Sequence, residues 1–262
     1  MKNFNYHSAK NSKEATKLSS NKSAYLAGGM TTLPSMKLGL ASYSDIIDIK
    51  NIKDLSGIKV SGKSLKIGAI TKHADVASSK EVKKTIKSLS DLADGIGDPQ
   101  VRNRGTLGGS IANNDPAADY PSACVALNAI IHTDKRKIPA EKFFKGMFET
   151  DLKKGELIQS VEFQVPEKSC YMKFPNPASR YAVVGVYVAK FKKEVIVAVT
   201  GAQPAVYRSK ELEKALNSNF SESAINNVRI KPSSLNSDIH ASSDYRAHLI
   251  TALAKKAVAG CK

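Results

Sequence analysis

The sequence predicts an α+β protein in two parts: short strands alternating with helices across glycine-rich loops, then a small antiparallel sheet followed by helices. Three observations carry this. Glycine pairs stand at 28–29 and 108–109, each beside a stretch of strand or helix pattern. Two β-branched apolar runs, 181–191 and 195–200, are joined by Lys192-Lys193-Glu194 and read as a hairpin. From about Ile158 the texture changes, and a boundary near residues 166–170 separates the parts 1–167 and 168–262.

Ser12 ahead of Lys13-Glu14-Ala15 caps a short helix, and Ser23 to Ala27 is a small strand running into Gly28-Gly29. Pro34 opens a helix to Leu40, because its fixed φ suits a first turn. Ile46-Ile47-Asp48-Ile49 is a strand. Residues 58–60 and 65–69 alternate about a Ser-Gly-Lys-Ser turn, a hairpin. Helices are expected over 73–79, 81–93 and 117–127, with a glycine-rich segment over 95–109. Strands follow over 128–138, around Lys135-Arg136, and over 161–165. In the second part helices are expected over 209–217, 221–228 and 243–259, where Tyr245, Leu249, Leu253 and Ala257 recur every four residues.

With 42% hydrophobic residues in 262, the chain can bury a real core. It has no apolar run of the roughly 20 residues a membrane helix needs, and its first residues lack the apolar stretch of a secretory signal. A cytoplasmic protein is expected, the inner face of the membrane included. Cys124, Cys170 and Cys261 lie far apart and read as reduced thiols. The net charge of +16 raises nucleic-acid binding, but the lysines are dispersed and only 6% of residues are aromatic, a poor supply for base stacking. No nucleic-acid partner is expected. His7, His73, His132, His240 and His248 lack metal-ligand spacing and read as surface or capping residues.

Gly57 to Ser64 matches GxxxxGK[ST], yet a phosphate loop needs a helix after it, and 65–70 alternate as a strand. Two other loops are better suited to a ligand. Ala27-Gly28-Gly29-Met30-Thr31 lies between a strand and a helix, where successive N–H groups can hold an anion and threonine hydroxyls add donors. Thr106-Leu107-Gly108-Gly109-Ser110, continuing to Asp119, is rich in hydrogen-bonding groups and poor in side chain. Two such loops on one part suit a dinucleotide with its diphosphate between them.

These stretches resemble a known family. AGGMTTLPSMKLGLA and IGDPQVRNRGTLGGSIANNDPAADYPSA look like the two FAD loops of the xanthine dehydrogenase family. IKVSGKSLKIGAITKHADVA fits the segment between them, and RYAVVGVYVAK, VAVTGA and SDIHASSDYRAHL resemble its C-terminal flavoprotein domain. The nearest form is the medium subunit of aerobic carbon monoxide dehydrogenase-like enzymes.

The resemblance implies a PCMH-type, two-subdomain FAD-binding fold over 1–167 and a C-terminal α+β domain over 168–262. It implies FAD held by Ala27, Gly28, Gly29, Met30, Thr31, Thr106, Leu107, Gly108, Gly109, Ser110 and Asp119; no cysteine falls inside either loop and His73 lies outside them, so non-covalent attachment is expected. Lys173 and Tyr181 match positions beside the flavin; read alone, they are a surface lysine and a strand-packing tyrosine, and Asp119 read alone is a helix cap. Met30 is less polar than the residues usual after the glycine pair, and Pro175 and Pro177 stiffen a loop that is charged in many relatives. A large subunit holding the molybdenum cofactor and a small subunit holding two [2Fe–2S] clusters are implied as partners, in a dimer of heterotrimers. The chain would pass electrons from the clusters to a quinone, NAD or oxygen, while the large subunit acts on carbon monoxide, an aldehyde or an aromatic heterocycle. The alternatives are a stand-alone flavin reductase on this fold, similar to UDP-N-acetylenolpyruvoylglucosamine reductases, and a basic nucleic-acid-binding protein.

Overall fold

The computed structural model describes residues 1–261. The chain opens with β1 (Asn5–Ser8), α1 (Ser12–Leu18), β2 (Ser23–Leu26), α2 (Thr32–Lys37) and β3 (Asp45–Asp48). These three strands form a parallel sheet in the order β1-β3-β2. Strand β1 has no apolar alternation; it is held at the sheet edge by backbone pairing and by His7, whose Nε2 lies 2.9 Å from Asp45 Oδ1. Asn11 caps α1, its Oδ1 accepting the Glu14 N–H at 2.9 Å.

The antiparallel hairpin of β4 (Ile58–Ser61) and β5 (Ser64–Gly68) confirms a turn, not a phosphate loop, at Ser61-Gly62-Lys63-Ser64. It joins a five-stranded sheet, β4-β5-β10-β6-β7, with β6 (Ile130–Thr133), β7 (Lys137–Pro139) and the central β10 (Ile158–Gln164). The two helices expected over 73–93 are three: α3 (His73–Ser78), α4 (Lys80–Thr85) and α5 (Lys87–Asp94). Ser79 ends the first and caps the second, its Oγ accepting the Val82 N–H. Two further helices, α6 (Pro99–Arg102) and α7 (Leu107–Asn113), interrupt the glycine-rich segment and run on from its end. Then α8 (Tyr120–Ala126) starts three residues later than expected, because Asp115 first closes a turn by accepting the Ala117 N–H. Between β7 and β10 lie α9 (Ala140–Phe143) and the small hairpin of β8 (Phe144–Gly146) and β9 (Glu149–Thr150).

A four-stranded antiparallel sheet follows: β11 (Lys168–Pro175), β12 (Ala182–Lys190), β13 (Val195–Thr200) and β14 (Tyr207–Arg208). It is covered by α10 (Lys210–Ser218) and α11 (Ser243–Gly260). The helix expected over 221–228 is a single 3₁₀ turn, Glu222–Ile225. Strand β12 is buried on both faces: Tyr187 and Ala189 pack into the core around α5 and α8, while Val184, Val186 and Val188 face α11 with Leu249, Leu253 and Ala257. Tyr245, the first residue of that helical stripe, is instead half-exposed and meets Phe174 edge-on at 6.0 Å. No helix of the described residues is long and apolar enough to cross a membrane.

Candidate functional site

A cleft of about 590 Å³ opens between the first parallel sheet, the α6–α8 segment and the loop before β12. Ligand sites commonly have this size. Its walls carry Ala27, Gly28, Gly29, Met30 and Thr31 from the first glycine turn, and Thr106, Gly109 and Ser110 from the second. Asp119 and Tyr181 close one end.

The first turn is built for an acceptor. Gly29 has φ +74, a conformation glycine adopts at no steric cost. No hydrogen bond among the described residues uses the N–H groups of Gly29, Met30 and Thr31. Neighbouring amides with no internal partner seek an oxygen from outside the chain. The second turn works differently. It is the start of α7: Thr106 is the N-cap and accepts the Gly109 N–H at 3.1 Å. The Leu107 N–H donates to Thr71 O at 3.1 Å and the Gly108 N–H to Ala69 O at 2.7 Å. These amides are spent, so this wall offers the Thr106 N–H, which no hydrogen bond among the described residues uses, the Thr106 and Ser110 side chains and the small surface of Gly109.

Three residues of the expected set stand off the cleft. Leu107 is fully buried in the core, because α7 turns it inward. Gly108 is needed for packing: a β-carbon there would lie 2.6 Å from Ala69 Cβ and 2.7 Å from its carbonyl oxygen. Lys173 lies behind Asp119, with Nζ 3.1 Å from Asp119 Oδ1, and also donates to Gly95 O at 2.8 Å and Arg180 O at 3.1 Å. Nor do the two turns stand apart as jaws. A β-carbon on Gly28 would be 2.7 Å from the Arg104 carbonyl carbon and 2.9 Å from Gly105 Cα, so the turns touch there and the cleft runs alongside that contact.

Asp119 occupies the cap position of α8 but makes no capping bond. Its carboxylate accepts from Tyr171 Oη at 2.5 Å and from Lys173. Burial pushes the carboxyl up, against the pull of the Lys173 charge and the Tyr171 hydroxyl. Tyr171 and Lys173 both lie on β11, so this cluster ties the second sheet to the cleft.

Sequence reasoning missed His73. It is 5% exposed and lines the cleft, which corrects its reading as a surface or capping residue. Its backbone N–H donates to Gly105 O at 3.0 Å, and Lys72 bridges to Thr106, so the start of α3 is stitched to the second turn. Burial, with the charge of Arg102, lowers the ring to about 4. Gly97, Asp98, Val101, Ser179 and Arg180 also line the cleft; their only local signal was the glycine and turn content of their loops.

The comparisons with known proteins give the family and the fold. Residues 2–167 fit the family model of the FAD binding domain in molybdopterin dehydrogenase, and the chain belongs to that family. It is an FAD-binding subunit of the molybdenum hydroxylase class, the FAD-carrying part of an oxidoreductase. Among its relatives, the glyceraldehyde dehydrogenase medium chain of Sulfolobus acidocaldarius is 35% identical over 97% of this chain and 96% of its own. The carbon monoxide dehydrogenase medium chain of Hydrogenophaga pseudoflava is 32% identical over the same shares, 97% and 96%. The solved carbon monoxide dehydrogenase of Hydrogenophaga pseudoflava superposes with a TM-score of 0.90 at 30% identity, covering 98% of this chain and 96% of that one. Quinoline 2-oxidoreductase from Pseudomonas putida 86 gives 0.89 at 25% identity, covering 99% and 98%.

The residues present fit FAD. The amides of Gly29, Met30 and Thr31, which no hydrogen bond among the described residues uses, are the kind of donor set an anionic diphosphate would need.

Proposed function

We propose that this chain is the electron-transfer subunit of a molybdenum hydroxylase, receiving electrons from [2Fe–2S] clusters on a small subunit and passing them to an external acceptor. A large subunit carries the molybdenum cofactor and the substrate chemistry, and the three pair as a dimer of heterotrimers. The reading divides the chain into an FAD-binding part, 1–167, and a C-terminal part, 168–262. FAD, when bound, supplies the ability to accept single electrons and release pairs; the protein holds and tunes it.

One observation carries the reading. The first glycine turn presents unused amides to a cleft that the Thr106 and Ser110 side chains also line. Ala27, Gly28, Gly29, Met30 and Thr31 form one wall of the FAD site, and Thr106, Gly109 and Ser110 the other. Asp119 and Tyr181 border its end, and Lys173 acts through Asp119. Leu107 and Gly108 set the backbone under the second wall. No cysteine lines the cleft among the described residues, in keeping with non-covalent attachment.

The test is purification of the chain with its native partners. A flavin spectrum with added iron–sulfur absorbance, and co-purifying subunits that carry iron and molybdenum, is expected. A chain that purifies alone, binds FAD and oxidises NADH unaided would instead be a stand-alone flavin reductase.

A further inference from the structure

His73 is a polar side chain with an unmet valence at the edge of the cleft. The neutral ring carries one proton, on Nδ1 or Nε2. Nδ1 is enclosed and has no partner. A proton on the enclosed Nδ1 would be a buried donor without an acceptor, at the full cost of its desolvation, so we infer the tautomer with the proton on Nε2. The Nε2 edge lies against Gly105, where an added β-carbon would stand 2.6 Å from Nε2 and 2.8 Å from Cδ2. Gly105 itself lines the cleft and puts no side chain over that edge. The absence of a β-carbon there therefore has a definite effect: it leaves a donor beside Gly105 and Thr106. Those two residues belong to the wall whose Gly105, Leu107, Gly108 and Gly109 amides are already paired within the chain, leaving the Thr106 N–H beside the ring.

We propose that His73 donates Nε2–H to an oxygen of the FAD diphosphate, adding a side-chain donor beside the unused Thr106 N–H of the second wall. This rests on the FAD reading above and names a contact outside both glycine turns. His73 is joined to that wall by its backbone bond to Gly105, so the ring and the turn are positioned together.

The experiment titrates the full chain, freed of flavin, with FAD and with riboflavin, which has the same ring system and no phosphate. Flavin fluorescence is the readout. His73→Phe is expected to weaken FAD about ten- to a hundredfold, the range for one hydrogen bond to a charged acceptor, and to leave riboflavin unchanged. His73→Asn, which keeps a donor, should recover part of the loss. Equal FAD affinity in His73→Phe and the parent overturns the contact and leaves the FAD reading standing. Equal weakening of FAD and riboflavin also overturns it, by removing the diphosphate as the target. A parent chain that binds neither flavin defeats the FAD reading itself. Ring ¹⁵N spectra of the unsubstituted chain test the same claim without a variant. They should show Nε2–H with bare Nδ1, and an Nε2 shift on adding FAD; an Nδ1–H tautomer overturns the proposal.

Discussion

Gly28 lies directly against the backbone of Arg104, with 2.7 Å between the place a β-carbon would take and the Arg104 carbonyl carbon. The two glycine turns are thus fitted to each other by the absence of a side chain, and a ligand beside them depends on that fit. Gly28→Ala forces backbone apart, and no rotamer can relieve it. A loss of about 1–3 kcal/mol of stability is expected, as for other overpacked positions, together with a lower flavin content per chain. Denaturant unfolding and the ratio of flavin to protein absorbance read the two effects. Unchanged stability would mean that the turns separate easily.

Gly108 and Gly109 are neighbours with separate duties. A β-carbon on Gly108 meets Ala69, whereas one on Gly109 meets only Thr106 Oγ1, at 2.9 Å, and faces the cleft. Gly108→Ala should cost about 1–3 kcal/mol of stability. Gly109→Ala should weaken FAD about tenfold, roughly 1.4 kcal/mol, while stability moves by less than about 0.5 kcal/mol. Paired unfolding and FAD titrations of both variants separate the roles; identical profiles would refute the division.

Acid unfolding should show two limbs. His73 is lowered from 6.5 to about 4 by burial and the nearby charge of Arg102. The unfolded chain then binds more protons between those values, so stability falls as pH drops from 6.5 towards 4. Glu156 runs from 4.5 down to about 2: burial works to raise it, but the Arg136 guanidinium, the Lys153 amide and the Thr133 hydroxyl outweigh burial. Its contribution is present above 4.5 and lost as pH falls through about 2. In the flavin-free chain, His73→Asn should make the upper limb shallower, leaving the part that His132 contributes, and Glu156→Gln should make the lower limb shallower. Denaturant midpoints at stepped pH measure this; a His73→Asn chain that tracks the parent from 6.5 to 4 would sink the upper assignment.

The first glycine turn was legible in the sequence because its chemistry is local: a strand, two glycines, threonines and a proline-opened helix. The second was legible as special but not in detail. Nothing local tells that Gly105 serves His73, that Gly108 serves Ala69, or that Gly109 serves the cleft; those partners lie far away in the chain. His73 was read wrongly because a histidine after an alternating hairpin has no mark of burial until the second turn closes over it. Lys173 looked like one more lysine in a lysine-rich chain, and only the fold sets it 3.1 Å from Asp119. Strand β1 escaped notice because an exposed edge strand needs no apolar alternation. The hairpin of β12 and β13 was plain, since strands buried on both faces read as continuous β-branched runs.

Strand β12 gives its odd-numbered Tyr187 and Ala189 to one core and its even-numbered valines to the other. Slipping it by a single residue would trade the two sets, pressing valines against α5 and α8 and a tyrosine against α11. A one-residue insertion there would unseat the flavin-side core and the C-terminal helix in the same stroke. This strand is therefore among the places where the length of the chain is least free to drift.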